Sequence, residues 1–362
     1  MASNKNQHFV PRCYLRPFSQ NDGKTINLYN IDRDKLIFDT ALKNQCSRDY
    51  FYGKDDNLER AIQQVERLYA SLLPHLLQPG FVLNTDASSI LFRFWLLQHH
   101  RTEAASIRMA QMTGEANGLL GDSRLSVALE IKQAVQISMQ TFADYMYALD
   151  DLKIILIENK TDKPFITSDD PAVIVNRFAD SKRVDERSYG LNAAGLICLL
   201  PLSPRVYCMF YDDCVYGIKS TNNWTSIKST RDVDSLNATQ LLNCFANLYF
   251  KEKDDSSIFS NLRNTNLNIR PVERYRIHYA IKTKTENDHE VFTVVDKKNI
   301  PNHTHALLHL LAVHIKPSNW PSLLRWRPSG YYYSNKFGRV CVRKAHIVSS
   351  HSNPYMRVKT GQ

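Results

Sequence analysis

The stretch Gln7-His8-Phe9-Val10-Pro11-Arg12-Cys13-Tyr14-Leu15-Arg16-Pro17-Phe18 lies near the N-terminus and combines five large apolar side chains with three basic ones. Chain ends usually fray, but this much apolar surface is enough to anchor an end in a core. Pro11 and Pro17 bias the residues before them toward extended geometry, which leaves one short helical turn between the two prolines. We therefore predict that this stretch is buried and closes the fold.

The basic side chains of the same stretch recur at a spacing of four, at His8, Arg12 and Arg16. In a helical turn this spacing places them on one side, where they present a cationic edge to an anion or to buried carboxylates. The alternative is that Arg12 and Arg16 form ordinary ion pairs with nearby acids.

The string HFVPRCYLRPF (residues 8–18) resembles the opening of a bacterial family of unknown function. Its members begin with His, an aromatic residue, Val-Pro-Arg, any residue, Tyr-Leu, a basic residue, any residue and Phe. Four later strings are similar to the same family and extend the resemblance to about residue 250: DYFY (49–52), QHHRT (98–102), FITSDDP (165–171) and PLSP (201–204). The family has no activity to carry over, so the resemblance implies a shared fold and a set of residues, but no reaction.

Composition predicts a folded globular protein, since 362 residues with 43% hydrophobic content can bury one large core or two smaller ones. The first seven residues carry no apolar signal-peptide region, and the nearly apolar run 306–315 is too short to span a bilayer. We expect a cytoplasmic location. Seven cysteines without a C-x-x-C pair indicate buried thiols, with neither a disulfide framework nor a zinc knuckle.

Residue periodicity predicts an α+β fold. Two alternating runs, 25–29 and 35–38, predict a β-hairpin, and helical stripes then begin near residues 56, 86 and 123 and end near 78, 112 and 149. The pattern changes to short β-like runs within about 152–295: 153–157, 172–175, 196–200, 206–211, 276–281 and 291–295. A helix over about 234–246 interrupts them, and 303–314 predicts a final short helix. The N-terminal stretch, helical bundle and mixed or antiparallel sheet thus form one main domain, 1–296.

The excess positive charge is confined to the last sixth of the chain. Residues 297–362 contain eleven Lys and Arg and no Asp or Glu, whereas residues 1–296 hold the other 35 cations and all 36 acids, a net charge of −1. Such a block is typical of a module that meets a polyanion. We therefore predict that 297–362 is a small basic C-terminal module.

The segment Thr167-Ser168-Asp169-Asp170-Pro171 follows one predicted strand and precedes another. Acids at the end of a strand often project into catalytic or metal-binding sites, which makes Asp169 a candidate. The alternative is a turn, because Asp and Ser bond their own backbone and Pro fixes the exit.

Two polar pairs lie on the second predicted helix. Gln98 and Arg101 are three residues apart and share one face, where they could hold a phosphate or carboxylate, or else clamp the helix to the N-terminal stretch. Arg93 and His99 resemble the Arg-x(4–6)-His spacing of HEPN ribonucleases, in which Arg steadies the phosphate and His transfers a proton. That similarity covers two residues only, and the remainder does not resemble an all-helical HEPN domain.

No metal site is predicted. His305 and His309 are four residues apart, but no acid in 303–314 completes a ligand set, and a docked amphipathic helix is the simpler interpretation. No phosphate-binding Gly-rich loop, G-x-S-x-G elbow or Cys-His signature occurs, which disfavours nucleotide hydrolysis and serine or cysteine hydrolysis. The cofactor stays open, a divalent metal included.

The C-terminal segment interleaves aromatic residues with cations, as single-stranded nucleic acid requires for stacking and phosphate contact. RNA or DNA is therefore the predicted partner, although an anionic membrane surface, or a closing sheet whose charges meet acids elsewhere, also fits. The candidate nucleic-acid-binding residues are Lys316, Arg325, Trp326, Arg327, Lys336, Arg339, Arg343 and Lys344.

The leading functional hypothesis is a nucleic-acid-binding protein of nuclease type. It places five candidate catalytic residues in one cleft: His8, Arg12, Gln98, Arg101 and Asp169. One alternative is a non-catalytic interaction protein in which the same side chains form a structural polar network. A second is an enzyme on a small anionic substrate, with the arginines as clamps.

Overall fold

The fold is α+β, as predicted, in a computed structural model that describes residues 5–53, 56–119, 131–182, 190–286, 289–296, 306–327, 333–335, 338–343 and 345. The described residues contain eight α-helices: α1 (Arg12–Leu15), α2 (Asp56–Leu76), α3 (Thr85–Arg101), α4 (Glu103–Leu119), α5 (Ile131–Asp144), α6 (Arg177–Lys182), α7 (Thr230–Asn243) and α8 (Ile258–Asn266). None of these helices combines the length and apolar character that crossing a membrane demands.

The described strands form three larger sheets and three two-stranded ones. In chain order, the strands are β1 (Asn6–His8), β2 (Thr25–Asn30), β3 (Lys35–Ala41), β4 (Ser47–Asp49), β5 (Lys153–Asn159), β6 (Thr167–Ser168), β7 (Val173–Val175), β8 (Ile197–Ser203), β9 (Val206–Tyr211), β10 (Tyr216–Gly217), β11 (Trp224–Ile227), β12 (Asn247–Phe250), β13 (Tyr275–Glu286), β14 (His289–Val294), β15 (Ala306–Ala312), β16 (Arg325–Trp326), β17 (Tyr333–Asn335) and β18 (Gly338–Val340).

A five-stranded sheet in the order β11-β5-β9-β8-β7 lies at the centre and is mixed, because only the β11–β5 pair is parallel. Side chains alternate across a strand, and both faces of this sheet are buried. Ile154 and Leu156 of β5 belong to one apolar cluster, whereas Ile155 and Ile157 belong to another. The sheet therefore separates two cores.

The N-terminal stretch packs into the first core together with α2 and α3, and the predicted burial is confirmed. Tyr14 is fully buried, and its hydroxyl group lies 2.7 Å from both Thr167 Oγ1 and the Pro201 carbonyl oxygen. Its ring contacts Phe94, which stacks on Tyr69 with the ring centroids 3.5 Å apart. The stretch thus joins the helices to the loops at the sheet's edge.

The second core holds α7 and parts of the C-terminal segment. Ile315, Leu324 and Cys341 contribute buried side chains to the same apolar cluster as the sheet. Strand β15 pairs with β13, and β16 pairs with β10. The described parts of 297–362 therefore share sheets and a core with residues 1–296.

A second, four-stranded sheet in the order β3-β2-β12-β6 begins with the predicted hairpin. Strand β12 pairs with both β2 and β6, so it joins the hairpin to the loop that carries Asp169. Helix α8 covers this sheet through Phe259, whose ring stacks on Tyr29. The sheet fixes the position of that loop relative to the N-terminal region.

Two predictions of secondary structure are wrong. The predicted helix 86–112 is divided at Thr102, which is extended (φ −68°, ψ 160°) and whose Oγ1 accepts a hydrogen bond from the Ala105 N–H at the start of α4. The predicted helix 303–314 is strand β15 over Ala306–Ala312, where seven residues pair with β13. Of the candidate histidine pair, His305 lies outside the described residues, and His309 lies on this strand.

Candidate functional site

His8 and Arg12 line one groove, here called the N-terminal groove, of about 300 Å³. Helix α2 supplies its opposite wall with Glu59, Glu66 and Arg67. Burial lowers the pKa of His8, and the nearby Arg12 lowers it further, whereas a 3.1 Å contact between His8 Nε2 and the Lys43 carbonyl oxygen raises it. His8 is therefore neutral near pH 7, and the groove has mixed charge.

Gln98 and Arg101 lie beneath this groove and are fully buried. Gln98 Nε2 and Arg101 Nε both donate to the Phe9 carbonyl oxygen, at 3.2 and 2.9 Å. Arg101 Nη1 also donates to Glu66 Oε1 at 2.6 Å. Burial opposes the charge on Arg101, but Tyr52 and Glu66 outweigh it and raise the pKa. The two side chains clamp α3 to the N-terminal stretch.

Asp169 makes its side-chain hydrogen bonds to a different part of the chain from the other four candidate residues. Its carboxylate accepts hydrogen bonds from three successive backbone N–H groups, of Phe245, Ala246 and Asn247, at 2.7, 2.8 and 2.8 Å. Burial raises the pKa of Asp169 to about 7, although these three bonds favour the charged form. Both oxygens are engaged, so Asp169 fastens the loop that leads into β12. Of the five candidate catalytic residues, His8 and Arg12 line the N-terminal groove, and Gln98, Arg101 and Asp169 do not belong to its lining.

Arg93 and His99 have separate surroundings. The Arg93 guanidinium lies over the Tyr147 ring, 5.5 Å from its centroid. His99 stacks on Trp95, and its Nδ1 lies 3.1 Å from the Ala172 carbonyl oxygen. Burial lowers the pKa of His99 to about 4. The two side chains therefore make different contacts.

The residues here called the cationic patch are Arg177, Arg325, Trp326 and Arg327. Strand β16 presents Arg325, Trp326 and the adjoining Arg327 to solvent, and 41% of Trp326 is exposed. The Arg177 guanidinium lies over the Trp326 ring at 4.9 Å and donates to the Leu324 carbonyl oxygen at 2.7 Å. The patch is therefore an aromatic side chain bordered by three arginines.

Two further candidate nucleic-acid-binding residues, Arg343 and Lys316, lie outside the cationic patch. The prediction for Arg343 is wrong, because only 2% of it is exposed and its Nε and Nη2 donate to Asp151 at 2.8 and 2.9 Å. Lys316 is exposed and lines a separate groove of about 220 Å³ with Arg276 and His314. Arg339 lies on β18, and Lys336 and Lys344 lie outside the described residues.

A pocket of about 540 Å³, larger than the N-terminal groove, was not predicted and is here called the arginine pocket. Arg108 enters it from α4, and Arg270 and Arg274 enter from the segment between α8 and β13. Asp170, Asn243 and Phe245 also line this pocket. These residues are far apart in sequence and become neighbours only through the packing of α4 against β13. The one local signal was the pair Arg270 and Arg274, four residues apart.

Asp170 is the buried acid of the arginine pocket. Its Oδ1 accepts a hydrogen bond from Thr102 Oγ1 at 2.8 Å. Burial raises the pKa of Asp170, while Arg108, the Thr102 hydrogen bond and Arg274 oppose that shift. Burial lowers the pKa of Arg274, and the neighbouring Arg270 lowers it further. The pocket therefore places cations close enough to repel one another.

One group of potential metal ligands occurs among the described residues, at Asp212, Asp213 and Cys214. Asp212 Oδ2 already accepts from the Gly195 N–H, and Oδ1 accepts from the Cys214 N–H, at 2.8 and 3.0 Å. These bonds describe a turn, so the group gives no support to a metal cofactor.

The fold and these sites define an α+β protein with a cation-rich surface and an arginine-lined pocket. The chain belongs to the family described as "protein of unknown function (DUF4238)", which matches residues 6–254. The predicted family resemblance is thereby confirmed. No curated protein and no solved structure matches the chain.

Proposed function

We propose that this protein binds single-stranded nucleic acid through the cationic patch. Charge segregation supports this proposal, since residues 297–362 carry eleven cations and no acid while the rest of the chain is nearly neutral. A basic stretch attracts the phosphate backbone regardless of sequence. A cytoplasmic location, where RNA and DNA are both accessible, is part of this proposal.

The observation that carries the proposal is the exposure of Trp326 between Arg325 and Arg327. Exposed tryptophan is uncommon on a protein surface, and indole rings stack on bases in proteins that bind single strands. Arg177, which lies 4.9 Å from the indole centroid, adds a cation beside that ring. The patch thus offers arginines for the charged phosphates of a single strand and an indole ring for its planar bases.

The geometry favours binding over catalysis by the predicted residues. Gln98, Arg101 and Asp169 hold backbone groups of this chain, as the structural-network alternative proposed. Only His8 and Arg12 of the five face a groove. A nuclease activity therefore cannot rest on His8 and Asp169 acting together, and we restrict the proposal to binding.

The test is fluorescence anisotropy of labelled single-stranded RNA and DNA with the full chain. Trp326→Ala should weaken binding by roughly 1–3 kcal/mol if the indole stacks on a base. Reversal of Arg325 and Arg327 to Glu should weaken it as well, whereas the control Lys24→Glu, an exposed cation in the N-terminal region, should have little effect. Equal affinity of wild type and all three variants, or no binding by wild type, would refute the proposal.

A further inference from the structure

Two of the three arginines of the arginine pocket, Arg270 and Arg274, are held in position by backbone carbonyl groups but keep free donors. Arg270 Nη2 donates to the carbonyl oxygens of Cys244 and Phe245, at 2.8 and 2.9 Å, beyond the end of α7. Arg274 donates to Leu242 and Cys244 at 3.2 and 3.0 Å. Each guanidinium has five N–H donors in a fixed plane, so these bonds fix its orientation and leave donors over.

Two of these groups lack partners within the described part of the chain. Arg270 Nε is buried and has no hydrogen-bond acceptor there. Arg108 forms no hydrogen bond or ion pair with any described residue, although it lines the pocket. Buried donors are normally satisfied, so an anion that reaches the pocket gains bonds that the protein itself does not make.

The charge balance of the lining also favours an anion. Three guanidinium groups face two carboxylates, that of buried Asp170 and that of Asp32, which is exposed at the rim. The positive charges of these arginines repel one another when the pocket is empty. A doubly charged phosphate placed among them attracts each arginine and so offsets that repulsion. Arginine matches phosphate oxygens with two parallel N–H bonds, which suits this ligand better than a chloride-like ion.

The same pocket has an apolar side. Phe245 is 39% exposed and lines the pocket, and its backbone N–H donates to Asp169, which fixes the backbone at this position. Val272 is 98% exposed beside it on the lining. A volume of about 540 Å³ far exceeds a bare phosphate and lies in the range of pockets for small organic ligands. An exposed aromatic ring in such a pocket is suited to stacking on a planar group.

We propose that the arginine pocket binds a phosphate monoester that carries an aromatic ring, the chemistry of a nucleoside monophosphate. Arg108, Arg270 and Arg274 hold the phosphate, and Phe245 stacks on the ring. This site is separate from the cationic patch, and the inference does not rest on nucleic-acid binding.

The test is isothermal titration calorimetry of the full chain with adenosine monophosphate, inorganic phosphate and adenosine. Adenosine monophosphate should bind more tightly than either of the other two. Arg108→Ala should lower the affinity for adenosine monophosphate and the affinity for phosphate by about tenfold each, as expected for the loss of charge-assisted hydrogen bonds. Phe245→Ala should lower the affinity for adenosine monophosphate but leave the affinity for phosphate unchanged. The matched control is Arg60→Ala, an exposed arginine on α2 outside the pocket lining.

Three results would overturn the inference: no heat with either phosphate compound, equal affinity of wild type and Arg108→Ala, or equal binding of adenosine and its monophosphate. If Phe245→Ala lowers the affinity for phosphate as much as the affinity for adenosine monophosphate, the stacking role of Phe245 is contradicted. Melting curves of each variant exclude loss of fold as the cause. The single-strand anisotropy assay with Arg108→Ala should match wild type, so failure at one site is distinguishable from failure at the other.

Discussion

Single residues show why chemistry inferred from sequence can be misplaced. Asp169 and Arg101 have the side chains that catalysis uses, but both satisfy backbone groups of this chain. A carboxylate or guanidinium is the same chemical group whether it acts in catalysis or holds the backbone. Only its hydrogen-bond partners in the fold distinguish the two roles. The sequence left both interpretations open for Gln98 and Arg101, and the helix-to-loop clamp is the one that the structure contains.

Asp169→Ala should lower the free energy of unfolding by roughly 2–4 kcal/mol. Three partly buried N–H groups lose their acceptor, and each lost hydrogen bond costs about 1 kcal/mol. Urea unfolding measures this change, with Asp162→Ala, an exposed carboxylate, as the control. A loss no greater than that of the control would contradict the fastening role.

Asp169 should also give a pH dependence of a definite sign. Its pKa is about 7 in the folded chain and has an ordinary value of 3.8, so between these values the folded state binds more protons than the unfolded state. Stability from this group therefore falls as pH rises through that window. The stability difference between wild type and Asp169→Ala should be larger at pH 4.5 than at pH 7.5. A difference that is constant or grows with pH would contradict this assignment.

Among the helices and strands, several with a clear local periodicity were predicted correctly. One that depends on pairing with a distant segment was not. The 25–41 hairpin, helix α2 and strands β5 and β9 were predicted because their periodicity lies within one segment. Strand β15 was mistaken for a helix because its leucines also fit a helical stripe, and its partner β13 is distant in sequence. Strand propensity depends on such neighbours more than on the residues alone.

The Arg343–Asp151 ion pair connects the C-terminal segment to the turn before β5. Arg343 also donates to the Leu191 and Ala148 carbonyl oxygens, so Arg343→Ala removes the hydrogen bonds that a buried guanidinium makes to Asp151 and to these carbonyl groups. We expect a loss of roughly 2–4 kcal/mol in unfolding free energy, because a buried guanidinium loses several hydrogen bonds at once.

A double-mutant cycle with Asp151→Ala should give a coupling energy well above that of Arg48 and Glu103, whose arginine is largely exposed. Additive effects of the two alanine variants would contradict an ion pair that stabilises the fold. Binding of single strands by folded Arg343→Ala should equal that of wild type, because this arginine faces the interior.

At the scale of the whole molecule, the sequence could predict the fold class and the location of excess charge but not the sites. Charge count is a property of composition, and it requires no knowledge of contacts. The arginine pocket combines α4, the Asp170 loop and the segment before β13, which only the completed fold brings together. Arg343 shows the opposite error, since a cation in a basic segment can be buried and paired with an acid from another part of the chain.

The central claim is that Arg325 and Arg327 contact phosphates of a single strand, and the salt dependence of binding tests it most directly. The full chain is the appropriate protein, because Ile315 and Leu324 of the C-terminal segment belong to the core and a 1–296 truncation would remove them. Each neutralised phosphate contributes about −0.7 to the slope of log affinity against log salt concentration. Replacing both arginines by Glu should therefore flatten the slope by roughly 1.4 or more, while Lys24→Glu leaves it unchanged. An unaltered slope in the double variant would contradict the account.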